Sequence, residues 1–360
     1  NASGFAQTVT NGSITSSFAY IESGTLNKGY VSGFVNSNSG TITNCYASGK
    51  IVKDNYESSV VSGFVNSNSG TIDHSFTVVA IMDGSLTSVG FARTNSGTLS
   101  ECYYVYNLTA SEHNGLGIPV DYINLCSKFL SNNSTINNKY KLLSDSDHIY
   151  PYLKSDNGSL ESKFIGDIFA KGSALNPIQI TDSVTTKSGK YYYVEGSLDT
   201  ISLSVASNCV VAGYNAQIST ISSLDTCSLV SGIKVLGPKN SSQRAFVYIN
   251  NGYIFNCHVS GVTTRRNYSN NYYGFVGINN GTISHCSNNV YIQPIVQFID
   301  KNSTKTISGF VYKNNGNIKH CNSIMNIYPI NFDNNNYEFY ISGFVDTNIG
   351  YISNCYSVYS

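Results

Sequence analysis

The pair His285 and His320 is the arrangement in the sequence that most resembles a metal site. Each histidine stands immediately before a cysteine in the same repeated motif, and His74 takes the equivalent position earlier in the chain. Imidazole and thiolate are common zinc ligands. Asn44 and Asn256 occupy the same position in other copies, which favours a polar corner that accepts any hydrogen-bonding side chain. We therefore predict no metal ligand and no cofactor.

The acidic residues of the repeated motif do not recur from copy to copy. Asp73 stands where another copy has Thr43, and Asp346 stands where another has Asn36. Glycosidases need paired carboxylates, and other polysaccharide-active sites need a base or metal-binding acids close together. The sequence also contains no H-E-x-x-H, G-x-S-x-G or G-x-x-x-x-G-K-[ST] motif. We predict no catalytic residues and no enzyme activity, and a polysaccharide-active β-helix enzyme ranks third among the functions considered.

Charge and hydropathy argue against two classes of partner. Lys plus Arg and Asp plus Glu number 21 each, and only 12% of residues are charged. No positive field therefore attracts nucleic acid. No apolar run approaches the roughly 18 residues of a membrane span. The first five residues lack a basic region followed by an apolar stretch, so we expect any export signal to have been removed or to lie outside this chain.

One motif recurs eight times and is the strongest structural signal in the chain. Its clearest copy, residues 32–46, reads S-G-F-V-N-S-N-S-G-T-I-T-N-C-Y. Each copy predicts two short strands joined by an Asn-x-Gly turn, and a third strand, such as residues 49–52, follows. One copy cannot close a core alone, but stacked copies bury Phe on Phe and Ile on Ile.

These features predict an all-β fold, a β-solenoid (β-helix) of two consecutive segments with rungs of about 27–35 residues. The rungs should lie about 4.8 Å apart. A β-propeller is the structural alternative, but its blades usually need four strands and roughly 40 residues or more. The predicted core ladder contains Phe5, Phe34, Phe64, Phe91, Phe246, Phe275, Phe310, Phe344, Ile42, Ile72, Ile283, Ile318 and Ile352.

Six cysteines share one position of the motif. Free cysteine behaves as a small buried apolar residue, and in-register stacking does not orient side chains for disulfides. We predict a buried, reduced cysteine ladder rather than disulfides or a metal site, and the state of Cys126, Cys209 and Cys227 stays open. The ladder consists of Cys45, Cys102, Cys257, Cys286, Cys321 and Cys355.

The repeated motif resembles the GLUG-type repeats of bacterial surface proteins, adhesin-like proteins and non-catalytic regions of some secreted peptidases. Residues 172–180 resemble the segment that opens such solenoids, with Ile178 in place of the usual aromatic residue. Residues 189–193 and 211–215 continue in the order of the family, and residues 150–154 resemble its closing segment. The resemblance implies an extracellular protein of the cell surface.

The order of these segments predicts the domain organisation. Residues 1–154 form the back half of one solenoid, with repeats in 1–109 followed by a closing module. A linker at 155–171 leads to the front half of a second solenoid, with an opening module at 172–240 and repeats at 241–360. Because uncapped rungs leave strand groups unpaired, we expect either head-to-tail stacking of copies of the protein or continuation in a longer chain.

Recognition, where it occurs, is expected in inserted loops, because repeats hold the scaffold constant while their connections vary. Such loops are rich in Asn and Tyr, which can stack on sugars and hydrogen-bond their hydroxyl groups. We predict a structural scaffold, a subunit or segment of a cell-surface filament, with an adhesin that binds host glycan or protein as the alternative. The possible loop-binding residues are Arg265, Arg266, Tyr268, Tyr272, Tyr273 and Tyr337.

Overall fold

The computed structural model is dominated by β-strands joined in parallel. It describes residues 1–26, 29–53, 60–83, 87–109, 116–131, 140–141, 152–153, 170–236, 246–265, 271–294, 304–327 and 338–359. The predicted all-β class is confirmed, and the parallel strands of the largest sheet form a nearly closed, barrel-like arrangement.

The strands up to residue 120 are closely spaced, and most of them are short. They are β1 (Ala2–Ser3), β2 (Ala6–Val9), β3 (Ser13–Thr15), β4 (Phe18–Leu26), β5 (Tyr30–Ser32), β6 (Val35–Asn38), β7 (Thr41–Thr43), β8 (Tyr46–Lys53), β9 (Val60–Ser62), β10 (Val65–Asn68), β11 (Thr71–Asp83), β12 (Ala92–Asn95), β13 (Thr98–Val105) and β14 (Ile118–Val120).

A helix and four two-residue strands follow, and then three longer strands. They are α1 (Tyr122–Ser131), β15 (Tyr140–Lys141), β16 (Tyr152–Leu153), β17 (Ile178–Gln179), β18 (Val184–Thr185), β19 (Tyr191–Val205), β20 (Val210–Leu224) and β21 (Leu229–Leu236).

The strands from residue 247 onward return to the short pattern. They are β22 (Val247–Asn250), β23 (Tyr253–Phe255), β24 (His258–Arg265), β25 (Asn271–Tyr273), β26 (Val276–Asn279), β27 (Thr282–Ser284), β28 (Ser287–Pro294), β29 (Thr304–Ser308), β30 (Val311–Asn314), β31 (Asn317–Lys319), β32 (Asn322–Ile327), β33 (Glu338–Ser342), β34 (Val345–Asn348), β35 (Tyr351–Ser353) and β36 (Tyr356–Tyr359).

Each strand of a repeat pairs in parallel with the equivalent strand of the next repeat. Strands β6 and β10 align Val35 with Val65, while β27, β31 and β35 align Ile283, Ile318 and Ile352. Side chains of one type therefore stand in columns perpendicular to the strands. A one-residue slip would turn every buried residue outward, so the apolar pattern fixes this register.

The chain divides into two compact units. The first contains Asn1–Ile178 together with Lys190–Tyr193, and the second contains Gln179–Gly189 together with Val194–Ser360. Of the predicted closing segment, the described part is Tyr152–Leu153 in β16, which pairs antiparallel with β15. Most of the predicted linker, residues 155–171, lies outside the described residues.

The phenylalanines of the motif form one stacked column in each unit. Neighbouring ring centroids lie 4.6 to 4.9 Å apart, with interplanar angles of 6 to 23°. This spacing equals the distance between paired strands, because in-register pairing sets equivalent side chains one strand apart. The columns are Phe5, Phe34, Phe64 and Phe91 in the first unit and Phe246, Phe275, Phe310 and Phe344 in the second.

Burial of the predicted core ladder is complete in the middle of each column and lower at its ends. Phe5 has the predicted place in the column, since its ring stacks on Phe34, but it is 48% exposed and is not a buried core residue. Phe344 and Ile352 are half-buried. The remaining members are fully buried: Phe34, Phe64, Phe91, Phe246, Phe275, Phe310, Ile42, Ile72, Ile283 and Ile318.

Glycine before the stacked phenylalanine is required by the close approach of neighbouring copies. A Cβ atom added at Gly33 would lie 2.0 Å from the carbonyl oxygen of Gly63, and one added at Gly309 would lie 2.0 Å from that of Gly343. Such contacts are impossible for a side chain. Glycine at this position therefore allows consecutive backbones to approach at strand spacing.

Helix α1 is the one helix among the described residues, and the repeat pattern did not predict it. Asp121 caps its N-terminus, since the backbone N–H of Asn124 donates to Asp121 Oδ1 at 2.7 Å. Tyr122, Leu125 and Phe129 are its buried side chains, and the ring of Phe129 packs edge-on against an aromatic ring of β11 at 5.0 Å. The helix thereby packs on the interior of the first unit.

Candidate functional site

The histidine position of the motif is a corner where the backbone is left-handed. His285 and His320 have φ of 53° and 51°, and Asn44, Asn256 and Asn354 have φ of 50 to 56° at the same position. Asn and His are enriched among the non-glycine residues that adopt this conformation. The recurring residue types are therefore explained by backbone geometry.

The two histidines stack on one another at this corner. The ring centroids of His285 and His320 lie 4.9 Å apart with planes 10° apart. Ser284 Oγ lies 2.7 Å from His285 Nδ1, and Asn354 Nδ2 lies 3.4 Å from His320 Nε2. Among the described residues, no group of three His, Cys, Asp or Glu side chains is placed to hold a metal ion.

The acids singled out from the sequence are bound to their nearest neighbours. Asp73 Oδ2 lies 2.6 Å from His74 Nδ1, and the register neighbours of Asp73 are Thr43 and Ser100. Asp346 Oδ2 accepts a hydrogen bond from the adjacent hydroxyl group of β34 at 3.0 Å. Paired-acid chemistry needs two neighbouring carboxylates. The register neighbours of Asp73 are not carboxylates, and Asp346 bonds to a hydroxyl group.

The motif cysteines form a hydrogen-bonded column of free thiols. In the second unit the backbone N–H of Cys257 donates to Cys286 Sγ at 3.4 Å, that of Cys286 to Cys321 Sγ at 3.5 Å, and that of Cys321 to Cys355 Sγ at 3.4 Å. All four are unpaired by disulfides, and only Cys355 is partly exposed. The thiols of Cys286, Cys321 and Cys355 thus each accept a hydrogen bond from the backbone of the preceding copy.

Burial keeps the thiols of Cys45, Cys102 and Cys286 protonated. It raises the pKa of Cys45 and of Cys102 from 9.0 to about 12, and it raises the pKa of Cys286 as well. Since the thiolate is the reactive form, such cysteines are poor nucleophiles and poor metal ligands. Outside the column, Cys209 is a buried and Cys227 an exposed free thiol, while the side chain of Cys126 lies outside the described part of the chain.

Two of the predicted loop-binding residues are not in a loop. Tyr272 and Tyr273 belong to β25, which pairs in parallel with β29, and they are only 8% and 7% exposed. Their assignment to an exposed loop was wrong, because a strand already begins at Asn271. The Asn- and Tyr-rich composition of this segment does not show that. Arg265 ends β24, and Arg266, Tyr268 and Tyr337 lie outside the described residues.

A buried asparagine ladder was not predicted from the sequence. Asn250 Nδ2 donates to Asn279 Oδ1, Asn279 to Asn314, and Asn314 to Asn348, each at 2.7 Å. An equivalent series of hydrogen bonds joins the Asn-x-Gly residues of the first unit, which are Asn38, Asn68 and Asn95. The signal was the recurrence of Asn at a single motif position, which we had assigned to turn formation alone.

A buried ion pair was also missed. Lys53 and Asp83 are register partners at the ends of β8 and β11, and both side chains are fully buried. Each follows the stacked phenylalanine of its own copy by 19 residues. The sequence signal for this ion pair was the equal offset of two oppositely charged residues in consecutive copies.

Comparison with known proteins gives no relative for this chain: no family model, no curated protein and no solved structure matches it. Within the described ranges, no helix combines the length and the apolar character that crossing a membrane requires.

Proposed function

We propose that this protein is a structural β-solenoid scaffold rather than a catalyst. The observation that carries the proposal is the unbroken register of buried columns across consecutive repeats. Phe, Ile, Asn and Cys each stack on their own kind over four copies in the second unit. Such a core is built of nearest-neighbour contacts and extends by adding copies.

Solenoid winding is supported by the way each repeat contributes to three columns of strands. In the first unit these columns are β1, β5 and β9, then β2, β6, β10 and β12, and then β3, β7, β11 and β13. A chain that visits the three columns in turn, and returns one strand further along each time, winds as a helix. The GLUG-type resemblance favours the same winding and an extracellular, cell-surface location.

Assembly through rung faces is the second part of the proposal. Strands β35 and β36 expose apolar side chains, including Tyr351 at 53%, Tyr356 at 61% and Val358 at 51%. A further rung with the same motif would cover them and pair with the strands that carry them. We propose that such a rung comes from a second copy of the protein stacked head to tail, or from continuation of the same chain.

Electron microscopy of the purified protein over a range of concentrations tests both parts. Fibres with an axial repeat of one subunit length are expected if the rung faces stack. Rods of constant length at every concentration would contradict head-to-tail stacking and leave the scaffold intact. Compact particles without an elongated axis would contradict the solenoid itself.

The adhesin alternative receives less support than the scaffold. Tyr272 and Tyr273 are buried in β25 and cannot stack on a sugar from solvent. A ligand would have to bind other residues of the connections.

A further inference from the structure

The ion pair of Lys53 and Asp83 is the one densely bonded charged cluster in the interior of the first unit, as far as the chain is described. Lys53 Nζ lies 3.2 Å from Asp83 Oδ1 and 3.3 Å from Asp83 Oδ2, and neither side chain is accessible to solvent. Removing two charges from water is unfavourable, and their attraction offsets this cost only in very good geometry. Nζ is therefore nearly equidistant from the two oxygens and in direct contact with the carboxyl group.

Other groups of the same segment fix the pair. The backbone N–H of Thr87 donates to Asp83 Oδ2 at 3.0 Å, and Ser88 Oγ donates to the same oxygen at 2.5 Å. Lys53 Nζ donates to Thr87 Oγ1 at 2.7 Å. Asp83 Oδ2 therefore accepts from Thr87 and Ser88 as well as from Lys53 Nζ. The donors of Thr87 and Ser88 lie beside a carboxyl group that the nitrogen already contacts, as the donors of an oxyanion hole lie beside a nucleophile.

We propose that Lys53 and Asp83 join in an intramolecular isopeptide bond. One proton passes from the ammonium group to the carboxylate, and the neutral amine attacks the carboxyl carbon, forming the Nζ–Cγ bond. The N–H of Thr87 and the hydroxyl of Ser88 stabilise the negative charge that develops on Oδ2. The Cγ–Oδ1 bond then breaks, and Oδ1 leaves as water with two of the three original ammonium protons.

The step balances without a further reactant. An ammonium group and a carboxylate yield one amide and one water molecule, and nothing is oxidised or reduced. Two groups held in contact react as if at effective concentrations on the order of 10⁵ M or more. Burial favours the neutral amide over two buried charges. The bond would tie β8 of one copy to β11 of the next, and it does not depend on the proposed assembly of the protein.

Intact mass spectrometry of the full chain under denaturing and reducing conditions tests the proposal. The measured mass is expected to be lower than the sequence mass by one water molecule. After trypsin digestion, cleavage following Lys53 should be absent, and a branched peptide should contain both Lys53 and Asp83. A mass equal to the sequence mass, with cleavage after Lys53, would overturn the proposal.

Variants locate the bond. Lys53→Met and Asp83→Ala should each have the full mass of their own sequence, whereas Lys50→Arg, at another buried lysine of β8, should keep the deficit of one water. Asp83→Asn should still form the bond, with loss of ammonia in place of water. Ser88→Ala should lower the cross-linked fraction in fresh protein, because it removes a donor to Oδ2. A water deficit that persists in Lys53→Met would place the modification elsewhere and overturn the assignment.

Discussion

The ring of Phe310 stacks face to face on that of Phe275, with centroids 4.6 Å apart and planes 8° apart. Phe344 stacks on the opposite face of Phe310 at 4.9 Å, so Phe310 contacts an aromatic ring on both sides. It is fully buried. An interior position in this column therefore contributes packing to three consecutive repeats.

Replacing Phe310 by Ala should lower the free energy of unfolding by about 3–5 kcal/mol, because the loss of a buried ring leaves a cavity that its neighbours fill only in part. Chemical denaturation followed by circular dichroism measures the change. Phe5→Ala is the matched control, since Phe5 occupies the same motif position in the column of the first unit but is 48% exposed. Equal effects at the two positions would contradict the assignment of Phe310 to the core.

Asn279 tests the asparagine ladder. Its side chain accepts a hydrogen bond from Asn250 and donates one to Asn314, so Asn279→Ala leaves one buried donor and one buried acceptor without their partner. A loss of about 2–6 kcal/mol in the free energy of unfolding is expected, at about 1–3 kcal/mol for each unsatisfied group.

The neighbouring residue Asn280 supplies the control for this ladder. It donates to Asn251 at 2.8 Å on the exposed side of the turn, where water replaces a lost partner. Asn280→Ala should change the free energy of unfolding by no more than about 0.5 kcal/mol. A cost at Asn279 as small as this would show that the buried ladder contributes little.

The sequence predicted the periodic part of this molecule well, because the same weak local pattern occurs in eight copies and each copy supports the interpretation of the others. The Phe and Ile positions and the class of fold followed from spacing alone. The low burial at the end of the column could not be predicted in this way. Whether Phe5 is buried depends on whether its ring has a neighbour on both faces, and residue type does not reveal this. Tyr272 and Tyr273 were misplaced because composition does not reveal where a strand begins.

Pairwise relations between copies were harder to predict. Lys53 and Asp83 are unremarkable surface residue types when each is read alone, and their meeting depends on the register of β8 with β11. The positive φ of the residue before each motif cysteine likewise results from the turn of the backbone at the corner, and the residue types alone do not predict it. Asn and His at that position were predicted as polar corner residues, but the left-handed conformation that favours them was not predicted.

The reactivity of the cysteines should divide according to burial. Cys45 and Cys102 have pKa values raised to about 12 by burial, so their thiolate form is scarce at neutral pH. Native protein treated with a maleimide at pH 7 should be labelled at Cys227, which is exposed, and the five buried motif cysteines should be labelled only after denaturation. Peptide mapping identifies the labelled residues. Rapid labelling of Cys45 in native protein would contradict its burial.

The same pKa shift predicts a loss of stability in alkali. A thiol with a pKa of 9.0 in the unfolded chain and about 12 in the fold keeps its proton longer when folded. Between these values the folded state binds more protons, so the free energy of unfolding falls as pH rises from 9 toward 12. Denaturation at pH 8 and pH 10.5 measures the decline. Cys45→Ala should reduce the slope, and an unchanged slope in this variant would assign the decline to other groups.

The corner position occupied by His320 should tolerate residues that accept a positive φ and reject those that do not. His320→Asn should leave the free energy of unfolding within about 0.5 kcal/mol of the original value, because Asn fills this position in other copies at φ of 50 to 56°. His320→Val should cost about 1–3 kcal/mol, since a β-branched side chain is strained at φ of 51°.

Thermal unfolding with and without Zn²⁺ separates this explanation from metal binding. The ion should not alter the melting temperature of the original protein or of the His320→Asn variant. A rise in melting temperature with Zn²⁺ that His320→Asn abolishes would instead assign a metal site to the stacked histidines.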